Sequence, residues 1–452
     1  MQKTVVLNIV GLSSAIIGEH TPFLKEYSER RNLRTIKPML PAVTTSVQST
    51  YLTGTWPSEH GIVGNGWYDR LDNEVKFWKQ SNKLVLRESI WDKAKREDPT
   101  FTVSQLFWWY NMYSTADYTA TPRPNYLADG RKIPDCYTKP AALRDELSEK
   151  LGQFPLFQFW GAGANIKSSQ WIADAAKLTD DKYDPTLTLV YLPHLDYCQQ
   201  RLGPDPSKIA KELQEIDTLI KDLVEFYERK NANIVLLSEY GIAPVNRPVH
   251  LNRLFRKAGL LQIRVERGLE LLDAGESKAF VVADHQVAHV YIKDPSVTDQ
   301  VLEILYNTAG IELILDREAQ MQHHIDHERA GDLVLMADSK SWFTYYFWLD
   351  DALAPDYARC VDIHKKPGYD PMEMFMTSKL RAGYKLLRKK LGFRYVMDIV
   401  PLDARMIKGS HGATSVAEDY YPVLITEQAV DKETILAVDV HDILWNHLHS
   451  YR

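Results

Sequence analysis

Runs of apolar residues alternate with amphipathic segments through the first half of the chain. The apolar runs at 5–12, 101–106, 187–192 and 234–237 are short and nearly uninterrupted, which is typical of strands buried on both faces. The segments at 89–97, 139–151, 168–178 and 207–230 show helical spacing of apolar residues. This alternation predicts an α/β fold with a mainly parallel sheet and helices on both faces. In such sheets ligands bind beyond the carboxyl ends of the strands.

The pattern changes near residue 254. A strand-like segment at 280–292, a helix near 297–308 and a strand at 332–337 predict a smaller α+β subdomain, followed by an aromatic and then basic stretch at 342–394. We therefore predict a core formed by residues 1–253 and 395–452, with residues 254–394 inserted as a cap subdomain. The sequence contains no internal repeat and no low-complexity tract.

Composition narrows the class of protein. The chain has 452 residues, with 45% hydrophobic and 25% charged residues, which are values typical of globular proteins. A formal net charge of −6 argues against nucleic-acid binding through a basic surface. No apolar stretch reaches the roughly 18 residues of a membrane-spanning helix, and the short N-terminal run lacks a signal-peptide cleavage site. Three widely spaced cysteines suggest free thiols, so we expect a cytoplasmic protein of unspecified oligomeric state.

Two motifs near residue 50 carry candidate chemistry. The first is P-x-x-T, which ends at Thr44, and the second is T-G-x-x-P-x-x-H-G-I-x-x-N, which ends at Asn65. Thr44 lies at the start of a predicted helix, where free backbone N–H groups and the helix dipole favour an anion. The Asn65 amide is able to donate to the same anion. The structural alternative is an ordinary helix cap followed by a glycine-rich loop.

The two motifs, in this order, resemble the signature of the type I phosphodiesterase / nucleotide pyrophosphatase family of the alkaline phosphatase superfamily. The resemblance implies an alkaline phosphatase-like core and hydrolysis of phosphodiester or pyrophosphate bonds in a small phosphorylated metabolite. In that family the threonine is the nucleophile and the asparagine holds a phosphoryl oxygen, which assigns these roles to Thr44 and Asn65. The family also uses two zinc-like ions, and the resemblance extends to some of their ligands. Asp196 matches a family aspartate, and His411 in K-G-S-H-G matches the distal histidine.

Other ligand positions depart from the family. Val10 occupies the position of the first-strand aspartate, and Asn8, two residues earlier on the same face, is the nearest substitute. Gln200 stands where a histidine is expected. In S-E-Y-G, where the family has S-D-H-G, Glu239 keeps a carboxylate and Tyr240 replaces the imidazole.

The predicted metal ligands are therefore Asp196, Gln200, Glu239, His411 and Asn8. A set so rich in oxygen suits Mg²⁺, Mn²⁺ or Ca²⁺ better than zinc, which remains an alternative. Three functions follow from the resemblance. The first is a metal-dependent hydrolase, the second is a catalytically weak or inactive protein that binds a phosphorylated ligand, and the third is a relative of the phosphomutases or phosphonate hydrolases.

Four further features have a structural as well as a functional interpretation. The aromatic run at 107–113 follows a strand and forms either core packing or a stacking wall for a substrate ring. His285 and His289 flank an apolar strand, and we interpret them as core histidines. The histidines in 322–327 have a spacing compatible with a metal but are more typical of a surface turn. The basic segment 379–394 is either a solvated helix face or a contact with an anion or a membrane surface.

Overall fold

The main sheet of this protein is formed by segments from both ends of the chain. The computed structural model describes residues 1–432 and 434–450. In this described part, nine strands form one sheet, in the spatial order Ile435–Leu436, Asn32–Lys37, Val423–Thr426, Asn233–Leu237, Thr4–Ile9, Leu187–Leu192, Val103–Leu106, Tyr118–Pro122 and Cys136–Lys139.

Most of this sheet is parallel. Five of its eight neighbouring pairs run parallel, including every pair from Asn233–Leu237 across to Tyr118–Pro122. The antiparallel pairs involve Val423–Thr426 and the edge strand Cys136–Lys139. Every residue of the central strand Thr4–Ile9 is buried, because both faces of the sheet are covered. The predicted α/β class and mainly parallel sheet are confirmed.

Several predicted boundaries were wrong by a few residues, and two of them have a clear physical cause. The first strand ends at Ile9 and not at residue 12, because the chain turns at Gly11, whose φ is +81°. The helix predicted at 139–151 begins at Ala142, and its first predicted residue belongs to the strand Cys136–Lys139. Pro140 favours extended backbone at the residue before it, so the helix forms only afterwards.

The helices of the described residues connect and flank these strands. None of them is both long and apolar enough to cross a membrane. The α-helices are Pro22–Arg30, Thr44–Thr53, Pro57–His60, Ile90–Glu97, Ala142–Leu151, Leu156–Phe159, Lys167–Tyr183, His194–Leu202, Ala210–Arg229, Leu251–Lys257, Thr298–Tyr306, Arg317–Gln322, Lys379–Lys390 and Asp439–His449.

A second sheet lies in the later part of the chain and has its own hydrophobic core. Its four antiparallel strands follow the order Ala279–Asp284, Val287–Ile292, Leu333–Ala337 and Ile311–Leu315. Five two-stranded ladders complete the described strands: Gly66–Asp69 with Glu74–Phe77, Asn125–Tyr126 with Lys132–Ile133, Ala243–Pro244 with Gly409–Ser410, Arg247–Val249 with Ser341–Phe343, and Gln262–Glu266 with Leu269–Asp273.

The four-stranded sheet falls within the predicted inserted segment, and the chain rejoins the main sheet at Val423–Thr426. The second core also recruits Tyr68 and Phe77 from the hairpin after Asn65. The domain boundaries at 253/254 and 394/395 stay a prediction.

A buried ion cluster lies beside the second core. Lys366 Nζ lies 2.7 Å from carboxylate oxygens of both Asp370 and Glu373, and all three side chains are almost completely buried. We call these three residues the Lys366 cluster. Burial of three charges is tolerated here because each ion has an opposite charge in contact with it.

Candidate functional site

Thr44 is the first residue of the helix Thr44–Thr53, which is buried along almost its whole length. Val43 before it is extended, so the chain enters the helix sharply and leaves the Thr44 hydroxyl at the helix start. The Thr44 Oγ1 atom lies 3.0 Å from the Tyr240 hydroxyl, within hydrogen-bond distance. Thr44 also lines a large cleft, so its hydroxyl is placed where a bound anion meets the positive end of the helix.

Asn65 lies beside the same helix start, as the sequence predicts. Its Oδ1 atom accepts a hydrogen bond of 3.1 Å from the backbone N–H of Thr45. Asp284 accepts from the Asn65 backbone N–H at 2.7 Å and from the Asn65 amide at 3.1 Å, and the Asn65 carbonyl accepts from the Trp78 N–H. The amide is therefore engaged by Asp284, and Asn65 is not among the described residues that line the cleft.

Glu239 and Asn8 meet at the ends of neighbouring parallel strands. Asn8 belongs to Thr4–Ile9, and Glu239 follows Asn233–Leu237. The Asn8 amide donates to Glu239 Oε1 at 2.6 Å, and Gln48 from the Thr44 helix donates to the same oxygen. In the described structure, Glu239 Oε2 and Asn8 Oδ1 are buried without a hydrogen-bond partner.

Asp196 and Gln200 lie one turn apart on the helix His194–Leu202, which follows the neighbouring strand Leu187–Leu192. The Gln200 amide donates to both carboxylate oxygens of Asp196, at 3.0 and 3.1 Å. Gln200 Oε1 accepts from the Tyr369 hydroxyl at 2.9 Å. This arrangement orients the nitrogen of Gln200, and not its oxygen, toward Asp196.

His411 is held between two elements of the site. One of its ring nitrogens, Nδ1, lies 2.8 Å from the carbonyl oxygen of Ala42, and the other, Nε2, lies 3.8 Å from Asp196. The Tyr240 ring stacks on the His411 ring with centroids 3.5 Å apart and planes 5° apart. The ring of Tyr240, which stands where the family has a histidine, therefore covers one face of the His411 ring.

Burial controls the protonation of these groups. It raises the pKa of Asp196 to about 7 and the pKa of Glu239 to about 8, although hydrogen bonds from Gln200, Asn8 and Gln48 oppose the shift. Burial also lowers the pKa of His411 well below its ordinary value. Burial therefore disfavours the charged form of all three groups.

The predicted ligands were tested against the geometry of a metal centre. Among the described residues, no three His, Cys, Asp or Glu side chains form a group that could hold a metal ion. N–H groups of neighbouring amides donate to both carboxylate oxygens of Asp196 and to Oε1 of Glu239. Val10, fully buried and apolar, offers no donor. The donor set does not fit the two-ion centre that the resemblance implies.

The cleft above Thr44 has a volume of about 1660 Å³, and its wall includes a group of aromatic side chains. From the predicted aromatic run, Trp109 lines it, whereas Phe107 and Trp108 are core residues. The other aromatic residues around the inner part of the cleft are Trp78, Trp160, Tyr191, Tyr197, Tyr240 and Tyr369. The cleft is large enough for a phosphorylated molecule with an attached ring or chain.

His285 is buried, as the sequence interpretation predicts, and it also lines the cleft. It lies in the two-residue turn between Ala279–Asp284 and Val287–Ile292 and has a φ of +59°. Its Nδ1 atom lies 2.7 Å from Asp284 Oδ1, and its ring stacks on Tyr369. The available signal was the position of this histidine in a tight hairpin turn, because the side chains of turn residues do not follow the alternation of faces seen along a strand.

The other two histidine predictions differ in outcome. His289 is buried, with its ring nitrogens bonded to the backbone of Val63 and Gly331, and its interpretation as a core histidine is confirmed. In the segment 322–327, His324 stacks on Trp56. The described residues of this segment belong to no group of three metal-ligating side chains, and the choice between the metal and the structural interpretation stays a prediction.

Comparison with known proteins identifies relatives of this arrangement. A family model described as type I phosphodiesterase / nucleotide pyrophosphatase matches residues 4–370. An uncharacterised pyrophosphatase/phosphodiesterase of Schizosaccharomyces pombe is 28% identical over 248 residues, which are 52% of this chain and 44% of that protein. Ectonucleotide pyrophosphatase/phosphodiesterase 2 of Saccharomyces cerevisiae is 23% identical over 267 residues, covering 54% of this chain and 48% of the relative. Each of these matches spans less than half of the relative's length.

Two solved structures share the fold along the whole chain. Murine ectonucleotide pyrophosphatase/phosphodiesterase 5 has a TM-score of 0.61 at 14% identity, covering 100% of this chain and 96% of the other. Phosphonoacetate hydrolase of Sinorhizobium meliloti, in complex with phosphonoformate, gives the same four values. At this level of identity the likeness concerns the fold alone.

Proposed function

We propose that this chain, which belongs to the type I phosphodiesterase / nucleotide pyrophosphatase family, hydrolyses phosphodiester or pyrophosphate bonds in a small phosphorylated metabolite. The observation that supports this most directly is the Thr44 hydroxyl, which lies at a helix start on the wall of the cleft. A phosphoryl group bound there would face the positive end of the helix, and Thr44 would be in place to attack phosphorus.

In this proposal the residues around Thr44 act by positioning. Tyr240 fixes the Thr44 hydroxyl by the contact of 3.0 Å, and Asn65 fixes the helix start through the N–H of Thr45. Asn65 is in turn held by Asp284. Such fixation reduces the loss of freedom when the substrate meets the nucleophile. The attack forms a bond between Thr44 Oγ1 and phosphorus and breaks the bond to the leaving oxygen, which takes up the proton that Thr44 loses. Water then attacks phosphorus, the bond to Oγ1 breaks, and a proton from the water returns to Thr44.

The mechanism is assigned no metal-dependent step, because the donor set does not fit the family's pair of ions. The requirement for Mg²⁺, Mn²⁺ or Ca²⁺ stays a prediction and is open to direct measurement. Purified protein should be assayed with bis-p-nitrophenyl phosphate in each of these ions, in Zn²⁺ and in a chelator, with elemental analysis of the same preparation. Turnover that survives the chelator would separate this chain from the family's two-ion chemistry.

The variant Thr44→Ala tests the nucleophile. We expect it to lose at least about a hundredfold in turnover, since no other group replaces the attacking hydroxyl. Thr53→Ala is the matched control, because Thr53 ends the same helix and its hydroxyl bonds to Ser49 within that helix. Unchanged turnover in Thr44→Ala would remove Thr44 from the mechanism.

A second function, binding of a phosphorylated ligand without turnover, is supported by the hydrogen-bonded state of the carboxylates. The probe is AMP, which is present in a solved structure of an inactive form of the murine relative. Binding of AMP to wild type without hydrolysis of any tested ester under any metal condition would favour this second function. The fold that this chain shares with a phosphonate hydrolase does not indicate which substrate it binds.

The quadruple variant Val10→Asp, Gln200→His, Glu239→Asp, Tyr240→His restores the family's ligands. If the substitutions in this chain are losses, the variant should gain bound metal and phosphodiesterase turnover. Metal content and metal-dependent thermal stability report the gain even if the reaction stays slow. A wild-type protein that already holds two ions, with no gain in the variant, would show that the ligands were misread.

A further inference from the structure

The basic helix Lys379–Lys390 has two different faces. One face lines the cleft through Ala382, Lys385, Leu386, Arg388 and Lys389. The other face carries Leu380, Tyr384, Leu387 and Leu391, spaced by four, three and four residues, which places them in one stripe along the helix and the residue after it. We call these four residues the outer stripe.

The outer stripe is exposed to solvent. Its side chains are 88%, 58%, 54% and 63% exposed, and no residue of the helix is buried. Phe393 and Val396, just beyond the helix, are also more than half exposed, but both line the cleft and are not counted with the outer stripe. A contiguous apolar surface of this kind on a soluble chain marks a contact surface, whereas isolated exposed leucines do not.

The charge around the stripe is strongly positive. Residues 379–394 contain seven Lys and Arg residues and no Asp or Glu, in a chain whose formal net charge is −6. Within the described residues, Arg381 and Lys385 pair with Asp398, and the other five have no acidic partner. Those five are Lys379, Arg388, Lys389, Lys390 and Arg394. The surface therefore has uncompensated positive charge next to exposed apolar side chains.

We propose that this helix docks the chain onto an anionic membrane surface, with the outer stripe inserted at the boundary between head groups and acyl chains. A basic helix with an apolar face lies in the membrane interface, and each Lys or Arg near an anionic surface adds attraction. A second copy of the chain is disfavoured because two such basic helices repel each other. A nucleic acid has no acyl region to receive the leucines.

Docking has a consequence for the cleft. The same helix forms part of the cleft wall, so the docked surface lies beside the opening that leads to Thr44. Phosphorylated head groups at the membrane surface are then presented next to the cleft. The docking itself does not depend on the proposed hydrolysis and is measured without it.

The test is co-sedimentation of the full chain with phosphatidylcholine vesicles that contain or lack phosphatidylglycerol. Wild type should bind the anionic vesicles, bind the neutral ones weakly, and dissociate as salt is raised. Lys379→Gln with Lys390→Gln should weaken binding about thirtyfold, from the loss of two surface charges. Leu387→Gln with Leu391→Gln should weaken it at least about tenfold without any change in charge. None of these four residues lines the cleft.

Matched controls lie elsewhere on the surface. Lys257→Gln with Lys340→Gln removes two exposed charges, and Leu71→Gln removes an apolar side chain that is 94% exposed. Both controls should bind as wild type does, and thermal unfolding checks that every variant is folded. Absence of binding to anionic vesicles, or binding that neither variant of the helix weakens, would overturn the proposal. Self-association that the leucine variant abolishes, without vesicle binding, would assign the stripe to a second copy and also overturn it.

Discussion

His60, in the motif that leads to Asn65, gives a sharp prediction about pH. It is the last residue of the short helix Pro57–His60 and is fully buried. Its Nδ1 atom accepts from the backbone N–H of Ile62 at 3.1 Å, and its Nε2 atom lies 2.9 Å from Thr50 Oγ1. Because Nδ1 has to accept, the ring is neutral and its proton is on Nε2. Acid would add a proton to Nδ1 and oppose the Ile62 bond.

The size of the effect follows from the pKa. Burial, reinforced by nearby positive charge, lowers the pKa of His60 from 6.5 to about 3. The unfolded chain therefore binds a proton at pH values where the folded chain does not, so this contribution to stability is present above pH ~6.5 and is lost as the pH falls toward ~3. Between about pH 7.5 and about pH 5.5 the loss is about 1.4 kcal/mol.

The assay is urea unfolding at the two pH values for wild type and for His60→Asn. Asparagine retains an acceptor for the Ile62 N–H but does not titrate, so the variant should lose about 1.4 kcal/mol less than wild type on acidification. Thr50→Val is the control. It removes the partner of Nε2, is less stable at both pH values, and retains the full pH dependence of His60.

An identical pH dependence in wild type and His60→Asn would refute this account of His60. The same result would also argue against a structural role in which the histidine of H-G-I-x-x-N links the Thr44 helix to the loop that carries Asn65. Equal urea dependence (m-values) in all three proteins is required for the comparison, because a change in m indicates a changed unfolded or folded state.

Two further predictions concern single side chains. Tyr240→Phe removes the contact to Thr44 and should lower turnover about tenfold with little loss of stability, since a cleft water can replace the hydroxyl. Tyr51→Phe is the control, because it leaves the buried carbonyl of Ser238 without its donor and should lower stability with little loss of turnover. Turnover assays and urea unfolding of both variants check this. Lys366→Met leaves the two acids of the Lys366 cluster unpaired and should destabilise the chain by about 3–5 kcal/mol in urea unfolding. Arg405→Met, which breaks an ion pair on the surface, should change the stability little. A mild effect of Lys366→Met would mean that the cluster is hydrated or neutral.

The sequence was sufficient for the parts of the site that depend on local pattern. The apolar runs located the parallel strands, and with them the positions of Asn8, Asp196 and Glu239 at the strand ends. The motif placed Thr44 at a helix start and Asn65 near it, and the contact from Thr45 bears out that proximity. These features rest on periodicity and on short spacings, which a single sequence contains.

The partners of these residues were not predictable in the same way. Asp284 holds Asn65 from 219 positions away, at the end of a strand in the second sheet. Gln48 reaches Glu239 across 191 positions. Neither contact leaves a local signature, because a buried glutamine on a helix and an aspartate before a hairpin turn occur for many reasons. His285 is buried, as interpreted, but its place on the cleft wall left no local signal either.

The departures from the family's ligands also have a collective meaning that single positions do not show. Gln200 replaces a ligand and donates to Asp196, and Tyr240 replaces another and contacts Thr44 while its ring covers His411. Each replacement therefore contacts a side chain that would have no polar partner if the metal alone were lost. Random decay of a metal site would leave buried carboxylates without donors, which is costly.

These replacement contacts leave three polar atoms of the site without a partner among the described residues. In the described structure, Glu239 Oε2, Asn8 Oδ1 and His411 Nε2 are buried and have no hydrogen-bond partner. Two are oxygens from neighbouring strand ends, and the third is a ring nitrogen 3.8 Å from Asp196. Buried polar atoms of this kind are usually satisfied by a ligand or by ordered water, because an unmade bond costs about 1–3 kcal/mol each. The described residues that line the cleft do not include Asn8, Glu239 or His411, so a substrate in the cleft is not expected to reach these atoms, and ordered water is the partner that fits them.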